Sequence, residues 1–165
     1  MFRDYISFHS NIIKSSFFST DTCCCIITSP EQLEVIPSNT RVFLVRREMN
    51  YNTLSFQPMD MKELEVMAIG SYNFICVMNV DLIHMNYLKY VEIGMGSFSG
   101  TDQPSSLKIK HCPLLTNLIL RWGSFRNFQH LELIDLPSLQ FLRIGNGCFS
   151  QLSRLELKSM YWRKV

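Results

Sequence analysis

A block of about 24 residues recurs along this chain, and its clearest copies run 112–135 and 136–159. Set in register, Leu136-Pro-Ser-Leu-Gln-Phe-Leu-Arg-Ile-Gly-Asn-Gly-Cys-Phe149 lies over Cys112-Pro-Leu-Leu-Thr-Asn-Leu-Ile-Leu-Arg-Trp-Gly-Ser-Phe125. The two copies continue into Leu155-Glu-Leu157 and Leu131-Glu-Leu133. A fixed period of this length constrains the fold more than any single residue does. Units too short to bury a core alone must stack on one another as the coils of a solenoid.

The frame extends upstream. Ile144, Leu120, Ile93 and Ile69 share one position; Phe149, Phe125, Phe98 and Phe74 share another; Leu139, Leu115, Leu88 and Leu64 share a third. The apolar pair reads Leu155/Leu157, Leu131/Leu133, Leu107/Ile109 and Val80/Leu82. The copy that starts at Met85 is about three residues longer, and the surplus falls in Gly100-Thr-Asp-Gln-Pro-Ser-Ser106, a turn-forming composition that marks a loop insertion. A degenerate first copy is expected around Ile36-Pro37-Ser38 and Leu44, with Met49 at the phenylalanine position and Leu54-Ser-Phe56 near the apolar pair.

Two short stretches in each copy alternate apolar and polar residues, as in Phe141-Leu-Arg-Ile144 and Leu155-Glu-Leu157. Alternation places successive side chains on opposite faces of a strand, and neither stretch carries an apolar 3.6-residue period. The expected fold is mostly β, a solenoid with two short parallel strands per repeat, in which the coil itself supplies the crossover that parallel pairing needs. The phenylalanine column becomes an aromatic ladder filling the coil interior. Gly70, Gly94 and Gly145, each following the isoleucine, suit turn positions at positive φ. Arg121 interrupts that column, and Gly123 is its nearest substitute.

These residues resemble the leucine-rich repeat superfamily, in the variant whose unit holds Ile-Gly-x-x-x-Phe and then Leu-x-x-Leu-x-Leu. The matching positions are Ile144-Gly145, Phe149, Leu152, Leu155 and Leu157, and again Ile93-Gly94 with Phe98. The Asn/Cys column of the better-known repeat is not visible, which favours a flat, mostly β coil over a helix-backed horseshoe. The resemblance covers residues 36–160 or so. It implies a protein-interaction module, often part of a larger surface or adaptor protein, and specifies no activity.

At 165 residues the chain is expected to be one domain in three parts: an N-terminal segment or cap over 1–32, the solenoid over 33–160, and a tail over 161–165. Both a cap strand over the first coil and a loose tail are compatible with residues 1–32. An apolar fraction of 47% is ample for a core, and a net charge of +2 is too small to point to nucleic acid or an anionic membrane. No apolar run approaches a membrane span and no signal-peptide pattern opens the chain, so a cytoplasmic protein is expected. Scattered thiols suit that reducing compartment: Cys76, Cys112 and Cys148 occupy different repeat positions, and Cys23-Cys24-Cys25 lacks zinc-site spacing.

Enzymatic readings find little to stand on. Gly94-Met-Gly96-Ser-Phe-Ser-Gly100 lacks the Lys-Ser/Thr of a phosphate-binding loop. His84 and His111 share a repeat position with Asp135 and Ser159, a column that reads as turn residues before it reads as a metal site. No catalytic constellation, cofactor or metal is expected.

The partner is expected to be another protein, met on outward polar columns. One column runs Ala68, Glu92, Ile119, Arg143 and the other Asp81, Lys108, Glu132, Glu156. Lys108 between Asp81 and Glu132 should contribute about 0.2–1 kcal/mol per opposite-charge pair, whereas Glu132 beside Glu156 should cost a similar amount. That pair suggests a mildly acidic recognition strip. Trp122 is the remaining candidate, as an aromatic in a turn where other copies carry Ser71, Met95 and Asn146. The last repeat ends near Met160, so an uncapped C-terminal edge is expected, belonging to a fragment of a longer array or open to end-to-end self-association.

Overall fold

The computed structural model describes residues 24–46, 56, 58–100 and 102–160. Its regular elements are ten short strands and two 3₁₀ turns, Pro30–Val35 and Pro58–Asp60, with no α-helix among the described residues. Strands β1 (Cys24–Ile27), β2 (Val42–Val45), β3 (Val66–Ile69), β5 (Tyr90–Ile93), β7 (Asn117–Leu120) and β9 (Phe141–Ile144) form one sheet in that order. Strands β4 (Asn79–Ile83), β6 (Ser106–Lys110), β8 (His130–Ile134) and β10 (Arg154–Lys158) form the second.

All pairings are parallel and join equivalent repeat positions. Ile69, Ile93, Leu120 and Ile144 are successive partners on the first sheet, and Leu82, Ile109, Leu133 and Leu157 on the second. The architecture is the mostly β solenoid expected from the period, with two parallel strands per coil. β1 comes from the segment whose structure the sequence left open, and it pairs with β2 from Cys24 opposite Val42 to Ile27 opposite Val45.

The inward residues of the two sheets and the leucine and phenylalanine columns merge into one continuous core. The rings of Phe74, Phe98, Phe125 and Phe149 stack with centroid separations of 5.2, 5.1 and 5.6 Å and interplanar angles of 14°, 3° and 4°. Phe56 is buried against Phe74, Phe98 and Phe43, with ring centroids 4.8, 5.6 and 6.1 Å away. Met49 and Leu54, assigned to the same degenerate copy, lie outside the described residues. Phe128 meets Phe125 edge-on at 4.9 Å and lies against Gly100 at the start of the insertion.

The glycine expectation requires correction. The left-handed glycines of the repeated corner are Gly96, Gly123 and Gly147, two residues beyond the column that was assigned that role. Gly123 is therefore no substitute for a glycine missing at Arg121; it occupies its own column. A Cβ on Gly94 would lie 2.5 Å from the Gly70 carbonyl carbon and the Ser71 nitrogen, and one on Gly145 would lie 2.6 Å from the Trp122 nitrogen. These two glycines let the backbone of one coil pass against the next.

The corner also carries the ladder phenylalanines in the left-handed region, with φ from 51° to 54°. For an L-residue that conformation costs about 1–2 kcal/mol. Full burial of a phenylalanine side chain contributes about 1.5–3 kcal/mol, which offsets it.

The two ends of the stack differ. At the N-terminal end the inward Ile27 is buried, Leu33 and Ile36 of the following segment pack against the core, and the Gln32 side chain accepts a hydrogen bond from the Thr28 amide at 2.7 Å. At the C-terminal end the apolar residues of the last coil are exposed: Leu155 is 54% and Leu157 48% accessible, where the equivalent Leu131 and Leu133 are at 2% and 1%.

Candidate interaction surfaces

Parallel stacking in register turns each outward repeat position into a row of neighbouring side chains, so the surface divides into two sheet faces and the corners between them. The first outward column is assembled as expected, with Ala68 opposite Glu92, Glu92 opposite Ile119 and Ile119 opposite Arg143. Its exposure differs from the expectation. Ala68 joins Val42, Leu44 and Val66 in a second buried apolar cluster, against which Cys24 and Tyr90 pack.

Glu92 is only 3% exposed and is held inside the fold. It accepts a hydrogen bond from the Tyr90 hydroxyl at 2.6 Å and pairs with Arg121 Nε at 2.5 Å. Burial, and then the Glu92 carboxylate it donates to, hold the Tyr90 phenol protonated well above its ordinary range. Arg121 thus gains a role where the glycine column is broken: its guanidinium compensates a buried carboxylate on the preceding coil. Of this column only Arg143 is left in the open.

The second column is likewise in register, Asp81 to Lys108 to Glu132 to Glu156. The charges are partnered differently from the sequence reading. Lys110, not Lys108, forms the ion pair with Glu132. Glu156 is bracketed on its own strand by Arg154, at 3.1 Å, and by Lys158. Hydrogen bonds from Lys158 and then Arg154 outweigh desolvation and hold the Glu156 carboxyl below its ordinary range. The Glu132–Glu156 repulsion is thereby answered within the chain, and the strip is a mixed-charge surface rather than an acidic one. Asp81 Oδ1 is buried with no hydrogen-bond partner among the described residues.

The corners create three further columns, two of which sequence reasoning missed. Arg41, Glu65 and Lys89 precede β2, β3 and β5, and Glu65 pairs with both cations, at 2.6 Å to Arg41 Nε and 2.6 Å to Lys89 Nζ. Asn73, Ser97, Ser124 and Cys148 stand immediately before the ladder phenylalanines and stitch each corner to the coil below. Ser97 Oγ donates to the Gly70 carbonyl at 2.7 Å and accepts from the Asn73 amide at 3.0 Å; Cys148 Sγ donates to the Arg121 carbonyl at 3.1 Å. Small hydrogen-bonding residues recurring before each phenylalanine were the available signal.

The third column is exposed. Trp122 is 55% accessible and follows Met95 along the corner, with Tyr72 one residue further round. The Tyr72 ring lies over Gly96, where an added Cβ would be 2.7 Å from it, and the Tyr72 hydroxyl is 3.2 Å from Met95 Sδ. The backbone beneath is pinned coil to coil, Tyr72 N to Met95 O at 2.8 Å, Gly96 N to Trp122 O at 3.0 Å and Gly123 N to Asn146 O at 2.9 Å. The result is an apolar ridge of Tyr72, Met95 and Trp122 on a rigid base.

On the opposite corner His84 and His111 stack at 4.7 Å, and His111 Nδ1 lies 3.0 Å from Asp135 Oδ2. All three, with Ser159, adopt φ between 53° and 57°. Among the described residues no group of three or more His, Cys, Asp or Glu side chains could hold a metal ion, and no helix is long and apolar enough to cross a membrane. No family model, curated protein or solved structure matches this chain.

Proposed function

We propose that this chain is a protein-interaction module of the leucine-rich repeat class, and that it binds another protein along the Tyr72–Met95–Trp122 ridge with Trp122 as the anchor. The observation that carries this reading is the exposed indole on a corner whose backbone is hydrogen-bonded to the coils on either side. A large aromatic carried on a backbone already held in place costs little chain ordering on binding and supplies much contact area, which is the character of interface hot spots. Binding rather than catalysis suits the two sheet faces, because Glu65, Glu92, Glu132 and Glu156 are engaged in ion pairs along or across the stack. The repeat class rests on the Ile-Gly-x-x-x-Phe units and their parallel stacking.

The test is a partner captured with the full chain and titrated against variants. Trp122→Ala is expected to weaken binding by at least about 2 kcal/mol, some thirtyfold, with the fold intact because the ring is exposed. Charge reversal at Glu132 and Glu156 is expected to leave affinity within about twofold. Affinity insensitive to Trp122 but abolished by the charge reversal would move the site to the second sheet and overturn the proposal.

A further inference from the structure

The ridge carries a spacing as well as an apolar surface. The Tyr72 ring lies over Gly96, one coil on, and Trp122 Nε1 lies beside Gly147, again one coil on, 3.9 Å from the position of an added Cβ. Both rings therefore lean the same way onto the column Gly96, Gly123, Gly147, and they remain two coils apart with Met95 on the coil between. The insertion falls beyond this corner, at 100–106, so the backbone bonds from Tyr72, Gly96 and Gly123 keep the coils in step there. Neighbouring strands lie about 4.8 Å apart, which sets the two aromatic groups about 9.6 Å from one another along the stack.

Among regular peptide conformations, polyproline II matches this period. It rises about 3.1 Å per residue with three residues per turn, so every third residue returns to the same side after about 9.3 Å. Residues i and i+3 of such a segment meet Tyr72 and Trp122 within about 0.3 Å of register. An extended strand returns to one face every second residue, about 6.7 Å, and falls out of step with the second ring. A helix returns after seven residues, about 10.5 Å, and would lay a convex surface on a convex corner, where helix recognition uses a groove. The backbone of polyproline II has no internal hydrogen bonds and stays solvated, so it lies on an exposed corner without stranding polar groups. Trp122 adds an indole N–H that can donate to one of its carbonyls.

The charge around the ridge is one-sided. The turns that build this corner, 70–78, 94–105, 121–129 and 145–153, hold one carboxylate, Asp102 in the insertion, against Arg121 and Arg126. Arg121 is engaged by Glu92, but Arg126, on the coil of Trp122, and Arg143, on the next, are exposed. The Trp122 end of the ridge is therefore complementary to an acidic residue.

We infer that the ridge binds a proline-rich segment in the polyproline II conformation, running along the stack with prolines three apart on Tyr72 and Trp122 and an acidic flank at the Trp122 end. Proline holds that conformation in the free peptide, so little ordering is lost on binding. The inference rests on the ridge being the interaction site and adds the class of partner.

Peptides titrated into the full chain by isothermal calorimetry test it. The probes are decaproline flanked by aspartates, decaproline flanked by lysines, an aspartate-flanked glycine–serine peptide of the same length, and an amphipathic helical peptide. The aspartate-flanked decaproline is expected to bind with a Kd below about 1 mM, the lysine-flanked one at least about threefold more weakly, and the glycine–serine peptide not at all. Trp122→Ala and Tyr72→Ala should each weaken decaproline binding at least about tenfold, with unchanged circular dichroism because both rings are exposed. Dependence on Tyr72 is the readout that a single adhesive indole would not give. Decaproline that does not bind, that binds Tyr72→Ala undiminished, or that ignores the sign of its flanks overturns the inference. If the helical peptide binds in its place and Trp122→Ala abolishes that binding, the ridge remains the interaction site and the proline-rich partner alone is wrong.

Discussion

Replacing Gly94 by alanine tests how closely the coils approach. The added Cβ would lie 2.5 Å from the Gly70 carbonyl carbon, 2.5 Å from the Ser71 nitrogen and 2.7 Å from the Gly70 oxygen. All three are backbone atoms and cannot rotate aside. Restoring ordinary contact near 3.4 Å requires the two coils to part locally by about 0.9 Å. The bond from Gly94 N to Ile69 O, now 2.8 Å, would then open beyond hydrogen-bond range. One buried donor and one buried acceptor lose their partner, at about 1–3 kcal/mol, and the packing beneath is loosened as well. A total near 3 kcal/mol is expected, or about 6–12 °C in Tm for a chain of this size.

Gly123→Ala supplies the contrast. An added Cβ there meets nothing within 4 Å, and the cost comes only from the left-handed backbone at φ +65°, about 1 kcal/mol. Urea unfolding followed by circular dichroism measures both, with hydrogen exchange at β3, β5 and β7 locating the damage. If Gly94→Ala proved no more costly than Gly123→Ala, the close-approach reasoning would be wrong.

Other outcomes follow from the buried polar columns. Ser97→Ala removes the acceptor of the buried Asn73 amide, while the Gly70 carbonyl keeps Asn73 Nδ2 as a donor, and should cost about 1–3 kcal/mol by chemical denaturation; Ser97→Cys, which mimics Cys148 on the last corner, should cost less. Burial raises the pKa of Glu65, but hydrogen bonds from Lys89 and Arg41 outweigh it and leave the carboxyl below its ordinary 4.5. A group held below its unfolded value stabilises fully above that value and loses the contribution as pH falls through the folded one, so stability should decline below about pH 4.5. Glu65→Gln should lower stability at neutral pH and flatten that acid limb; an unchanged pH profile would show that the Arg41–Glu65–Lys89 column contributes nothing.

The strands, register and interior ladder of the four clear copies were legible in the sequence, because a period of two within a period of 24 fixes which side chains point inward and which coils they meet. In the degenerate first copy the register was misread by one residue, since Val45 and not Leu44 pairs with Ile69, and β1 was left open. The surface was less legible. Lys110 reaches diagonally across to Glu132 on the next strand, and Arg154 and Lys158 reach along their own strand to Glu156, because a long side chain can meet a charge two residues off its own column. Glu92 looked outward and free, yet Tyr90 and Arg121 close over it, and Arg121 stands where the repeat had led us to look for glycine.

What the sequence determined by itself is the stack: residues that repeat must occupy equivalent places, and a unit that cannot bury its apolar face alone must bury it on the next. What only the tertiary structure decided is the corner. Whether a glycine is needed for a left-handed backbone or for the passage of a neighbouring coil depends on atoms about 24 residues away. The same holds for whether an outward carboxylate is exposed or enclosed. Local pattern records the direction in which a side chain leaves its strand, but not what the adjoining coils have placed there to receive it.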